Sequence, residues 1–137
     1  MTRLKLPFLT SLYVLLVFVL LQAVTFLVPA SILVFNDKFI LGIFDANNVA
    51  IFFLVLFSCL PATILLRSDK RILHSGSILL LAGILSNLAD RIFRAGATDY
   101  ISISTFPTFN LADISIIIGI IILGLYYLSA GRKKARP

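Results

Sequence analysis

Four long apolar stretches separated by short polar ones set the pattern of this chain, at about residues 8–29, 49–66, 72–89 and 111–130. A helix crosses a hydrocarbon layer of ~30 Å with about 20 residues at ~1.5 Å of rise each. Each stretch is therefore predicted to form a transmembrane helix. The first follows Arg3 and Lys5 and ends near Val28-Pro29-Ala30, features also found in a cleavable leader. Its apolar run is longer than the ~7–15 residues of such leaders, and further spans follow, so a retained helix is expected.

The polar residues between the spans give an orientation. Arg3 and Lys5 precede the first span, Arg67, Lys70 and Arg71 lie between the second and third, and Arg132, Lys133, Lys134 and Arg136 follow the fourth. Basic residues concentrate on the cytoplasmic side of membrane proteins, so both termini are expected to be cytoplasmic. The connections 30–48 and 90–110 then face outward, with only Lys38, Arg91 and Arg94 as basic residues.

Composition agrees with this reading. Hydrophobic residues make up 60% of the 137 positions and charged residues 13%, against ~25% charged in soluble domains. The expected fold class is an all-α integral membrane protein with one domain, residues 1–137. The net charge of +6 comes mostly from juxtamembrane residues, nine of the twelve basic ones, which fits lipid headgroups and not nucleic acid. With Cys59 as the single cysteine and His74 as the single histidine there is no internal disulfide and no cluster of metal ligands, so neither a metal nor another cofactor is expected. Cys59 is expected to pack within a helix, and His74 to lie at the cytoplasmic boundary.

Polar chemistry gathers in the outward connections. All six acidic residues are Asp, and Asp37, Asp45, Asp90, Asp99 and Asp113 lie in or beside those connections. Ile32-Leu33-Val34-Phe35 and Phe39-Ile40-Leu41 flank Asn36-Asp37-Lys38, a pattern that predicts a short hairpin on the membrane surface, a small β-like cradle between the first two helices. On the third helix Gly76, Gly83, Asn87 and Asp90 share one face, where small residues allow close helix contact and Asn can bond across it. Asp90 and Arg91 are expected to pair with each other or with Asp99. Asn110 is placed to cap the fourth helix, and Asp113 falls in its first turn, where the helix dipole favours a carboxylate.

Carboxylates at the bilayer edge are costly to keep ionised, so Asp99 and Asp113 together point to a catalytic pair. Two other classes remain open on the residues alone. A proton relay through Asp90, Asp99 and Asp113 would need polar residues deep in the spans, and these are sparse. A non-catalytic lipid-binding or assembly protein would use the same Asp residues as caps and anchors.

The full set of motifs is recognisable. Asn87-Leu88-Ala89-Asp90-Arg91, then Asp99 in Thr-Asp-Tyr, then Phe109-Asn110-Leu111-Ala112-Asp113 resembles the bacterial lipoprotein signal peptidase, or signal peptidase II, family. Asn36 with Gly42 is similar to that family's cradle motif, and Gln22 to the glutamine of its first-helix signature. Leu21, Thr25 and Lys38 stand where the family has Asp, Lys and commonly Gly. The resemblance implies a four-helix membrane aspartyl endopeptidase in the bacterial cytoplasmic membrane, active near the extracytoplasmic face. Asp99 and Asp113 would be catalytic, and Asn36, Gly42, Asn87, Asp90, Arg91 and Asn110 would bind substrate or support the dyad. It implies prolipoprotein substrates cleaved before a diacylglyceryl-modified Cys, inhibition by globomycin-type compounds, and contact with membrane lipids. A monomer is expected, and the alternative within the resemblance is an inactive tetraspan paralogue that binds lipid or lipoprotein.

Overall fold

The computed structural model describes residues 5–36 and 47–134. They form four helices, α1 (Lys5–Leu27), α2 (Asn47–Arg67), α3 (Arg71–Arg94) and α4 (Leu111–Lys134), and two short strands, β1 (Val34–Asn36) and β2 (Ala97–Asp99). All four helices carry an apolar run long enough to cross a membrane, over Leu9–Leu27, Asn48–Arg67, Arg71–Arg94 and Leu111–Gly131. Their bare outer faces, with Leu16, Leu20, Phe57 and Ile121 all more than half exposed, suit a lipid surround.

Helix α3 is the centre of the bundle. It packs against α1, α2 and α4, and 56% of its span is buried against 17–22% for the others. Its predicted inner face is buried as expected, including Gly76, Gly83, Asn87 and Asp90. The glycines there let two backbones touch. A Cβ on Gly83 would stand 2.6 Å from the Ala112 carbonyl oxygen, and one on Gly119 of α4 would stand 2.7 Å from that of Gly76. The Ser115 hydroxyl then donates across the seam to the Leu79 carbonyl at 2.7 Å. Leu54, Leu73, Leu80, Ile84 and Leu123 fill the rest of the core.

Two of the departures of the helix ends from the hydropathy reading lie next to the outward connections. Helix α1 stops at Leu27 instead of Pro29, because proline disfavours helical backbone in the residue before it. Helix α3 continues past Ala89 to Arg94, so Asp90 and Arg91 belong to a helix and not to the start of a loop. Hydropathy marks where a helix leaves the apolar layer, and nothing in Asp90-Arg91-Ile92-Phe93-Arg94 breaks the backbone pattern. The helix ends at Ala95, whose φ of 60° places it in the left-handed region that glycine prefers.

The first arm of the predicted hairpin forms β1, and its second arm lies outside the described residues. β1 pairs antiparallel with β2, with Val34 opposite Asp99, Phe35 opposite Thr98 and Asn36 opposite Ala97. A strand from the first outer connection thus finds its partner in the second, and Phe39-Ile40-Leu41 and Gly42 lie outside the described residues. Gly96 makes this pairing possible, since a Cβ there would meet the Phe35 ring at 2.8 Å. Beyond β2, Ile101 and Phe109 exchange backbone hydrogen bonds of 2.9 and 3.0 Å, closing the intervening loop and returning the chain to α4 beside Asp99. One smaller expectation also changes: Cys59 is exposed on α2, its thiol against the Val55 carbonyl. His74 lies at the end of its span, in the first turn of α3, buried against the Ser68 carbonyl.

Candidate active site

The site grows from the start of α4. The Asn110 side-chain oxygen accepts the backbone N–H of Asp113 at 3.0 Å, and the Asn110 N–H donates to Oδ2 of Asp113 at 3.0 Å. This reciprocal cap satisfies helix-end donors and fixes the Asp113 carboxylate in the first turn. The Asn110 amide nitrogen remains free to reach outward. It donates to Oδ1 of Asp99 at 2.9 Å and to Oδ1 of Asn87 at 3.1 Å. Asn87 in turn donates from Nδ2 to Oδ1 of Asp113 at 2.7 Å, and Asn36 of β1 donates to Oδ2 of Asp99 at 2.9 Å. Every oxygen of the two carboxyl groups therefore meets an N–H donor, and Asn110 touches both acids.

Burial makes this network matter. Asp99 is 2% exposed and Asn110 3%, with Asn87 also buried and Asp113 half-buried. Burial pushes the Asp99 carboxyl above its usual range; the Asn36 hydrogen bond opposes this, the Asp113 charge adds to it, and Asn110 and the Arg91 guanidinium oppose it. A buried acid that holds its proton more tightly, joined through one Asn to a second acid, is the arrangement for paired acid–base chemistry.

Behind the pair lies a strap. Asp90 accepts the Thr98 backbone N–H on Oδ2 at 3.1 Å, and on Oδ1 it accepts Arg94 at 2.9 Å and Gln22 of α1 at 3.2 Å. Nη1 of Arg94 also reaches the Thr98 hydroxyl at 3.3 Å, and Gln22 donates to the Ser86 carbonyl at 3.1 Å. Thr98 immediately precedes Asp99, so the strap holds the strand that carries the buried acid. Asp90 pairs with Arg94, since residues four apart share one side of a helix, and of the two partners expected for Arg91 it is Asp99 whose charge it meets. Arg91 is buried and acts on the charge of Asp99.

The structure thus brings together Asn36, Asn87, Asp90, Arg91, Asp99, Asn110 and Asp113 at one end of the bundle, while Gly42 lies outside the described residues. Arg94 and Thr98 were missed as support. The spacing of Asp90 and Arg94 was the available signal. Tyr100 was passed over as well, although its phenolic oxygen accepts the Leu111 N–H at 3.2 Å where α4 begins.

A family model described as signal peptidase (SPase) II matches residues 9–129. The lipoprotein signal peptidase of Clostridium novyi is 31% identical over 99 residues, covering 66% of this chain and 67% of that protein. That of Chlamydia pneumoniae is 32% identical over 113 residues, 75% of this chain and 67% of its own length. That of Dehalococcoides mccartyi is 46% identical over 55 residues, 40% of this chain and 34% of its own length. The matched segments thus span from about a third to two thirds of these relatives. A bacterial membrane enzyme structure determined in meso at 2.3 Å superposes with a TM-score of 0.77 at 20% identity, over 93% of this chain and 92% of that one. A second, at 1.9 Å, gives 0.71 at 20% identity. At that identity the likeness concerns the fold.

Proposed function

The chain belongs to the signal peptidase II family, and on that premise we propose that it is a membrane aspartyl endopeptidase whose dyad is Asp99 and Asp113. The observation that carries this reading is that Asn110 binds both acids, its side-chain amide at 2.9 Å to Asp99 and its backbone N–H at 3.0 Å to Asp113. The substrates are prolipoproteins cleaved before a diacylglyceryl-modified Cys, and one membrane domain carries the whole reaction. The positive-inside arrangement of the basic residues puts the dyad near the extracytoplasmic face, where substrate helix and lipid both arrive through the bilayer.

In this mechanism the ionised acid draws a proton from a water, whose oxygen bonds to the scissile carbonyl carbon. The protonated acid gives its proton to the carbonyl oxygen. When the tetrahedral intermediate collapses, the C–N bond breaks, the leaving nitrogen takes the proton gained from water, and one hydroxyl of the intermediate returns its proton to the other acid as its oxygen becomes the new C=O, so the pair again holds one proton. Asn36, Asn87 and Asn110 hold the acids in place, Asp90 and Arg91 support the strand and its charge, and Gly42 belongs to the cradle on the strength of the resemblance.

The test is cleavage of a purified prolipoprotein in lipid, with and without the diacylglyceryl group on its Cys. Release of the signal peptide only from the modified substrate, blocked by globomycin, is the expected result. Absence of cleavage by folded protein would favour the inactive paralogue instead.

A further inference from the structure

The two faces of the β1–β2 ribbon have different surroundings. Side chains alternate along a strand, so Asn36 and Asp99 share the face turned to the dyad, and Phe35 and Thr98 share the other. On that reverse face lies a cavity of about 500 Å³, walled by Phe26, Val28, Leu33 and Phe35 with Arg94 and Thr98. It holds neither acid of the dyad. Arg94 lies over the Phe26 ring at 4.8 Å, and its side chain is 28% exposed. Both of its hydrogen bonds to described residues leave from Nη1, whereas a guanidinium carries five N–H donors. Among the described residues Nε and Nη2 meet no acceptor, which leaves their N–H groups for an occupant.

Depth selects the occupant. The membrane span of α1 closes at Leu27, so the cavity straddles the end of the apolar layer, with apolar walls on both sides of that level and one cation among them. Its polarity is that of a phospholipid, apolar chain below and phosphate above. A guanidinium matches phosphate oxygens in geometry and charge. We propose that this cavity binds one anionic phospholipid from the leaflet on the dyad side, its phosphate on Arg94 and the upper part of an acyl chain against Phe26, Val28, Leu33 and Phe35.

The experiment is native mass spectrometry of the purified full chain in detergent, titrated with phosphatidylglycerol, phosphatidylcholine, a diacylglycerol with the same chains, and inorganic phosphate. The wild type is expected to retain one phosphatidylglycerol with about tenfold preference over phosphatidylcholine, undisplaced by inorganic phosphate. Arg94→Gln should lose that preference, Arg94→Lys should keep part of it, and Ala30→Trp, which adds bulk at the cavity wall, should lose the bound lipid. If Arg94→Gln does not fold, the other two variants decide. Equal retention of all three lipids by the wild type, displacement by inorganic phosphate, or an unchanged preference in Arg94→Gln would overturn the proposal; the last would place the lipid elsewhere, as at Arg67, Lys70 and Arg71. The readout is binding, so it stands or falls separately from cleavage.

Discussion

Helices α3 and α4 meet backbone to backbone, whereas α1 and α2 scarcely meet and show most of their surface to lipid. The difference follows what each half has to hold. Along the α3–α4 seam an amide of Asn87 must stay within 2.7 Å of Asp113, and such a distance survives only on rigid, closely packed elements. Of α2 the bilayer asks mainly that its surface be apolar, which many sequences satisfy. The departures at Leu21 and Thr25 fall on α1, in the looser half, and the complete motifs fall on the tight one.

Glycines offer the strongest way to break this contrast. Gly83→Ala would force a Cβ to within 2.6 Å of the Ala112 carbonyl, and its expected cost is ~1–3 kcal/mol with loss of activity. Gly124→Ala meets nothing within 4 Å on the same α4 and should stay within ~0.5 kcal/mol of wild type. Unfolding in mixed micelles compares them; equal costs would mean that the seam is not what stabilises the bundle.

The amide network gives the next effect. Asn87→Ala and Asn110→Ala should each lower kcat by about 10–100-fold, while Asn48→Ala, exposed at the start of α2, should change it less than about twofold. Steady-state cleavage at fixed enzyme concentration measures both, and a similar loss in Asn48→Ala would remove the distinction between the halves.

Asp99 adds a pH dependence. Its carboxyl in the folded chain is raised above the ordinary value of 3.8, chiefly by burial. Between the ordinary and raised values the folded chain keeps a proton that the unfolded chain has lost, so stability is greatest below the ordinary value and declines as pH rises through the window. Asp99→Asn removes this penalty. The Tm of wild type relative to Asp99→Asn should therefore fall as pH rises from the ordinary value of 3.8 through the raised one, and a difference that does not vary with pH would contradict the burial of a titrating acid there.

Ala95→Gly is the smallest change. Glycine relieves the left-handed backbone at φ 60°, and a gain of about 0.5–1 kcal/mol in unfolding free energy is expected.

The sequence was most legible where one local pattern decides the outcome. Four apolar runs give four spans, and Asn110 three residues before Asp113 gives the cap. The pairing of β1 with β2 was not legible, because Val34-Phe35-Asn36 carries no local mark of a partner some sixty residues away in the chain. Nearby Phe39-Ile40-Leu41, across a shorter loop, is the partner that local pattern suggests, and it lies outside the described residues. The extension of α3 was hidden for a different reason, since hydropathy reports the membrane and the helix outlasts it by a turn. Once that turn is helical, the Asp90–Arg94 strap follows from spacing alone.

The central claim is that Asp99 and Asp113 act as one unit, and rates of prolipoprotein cleavage by Asp99→Asn, Asp113→Asn and the double variant test it most directly. Each single change should lower the rate by about 10²–10⁴-fold, with the double variant falling little further, because either loss alone disables the pair. Losses that multiply, or a single variant that keeps wild-type rate while folded, would contradict it.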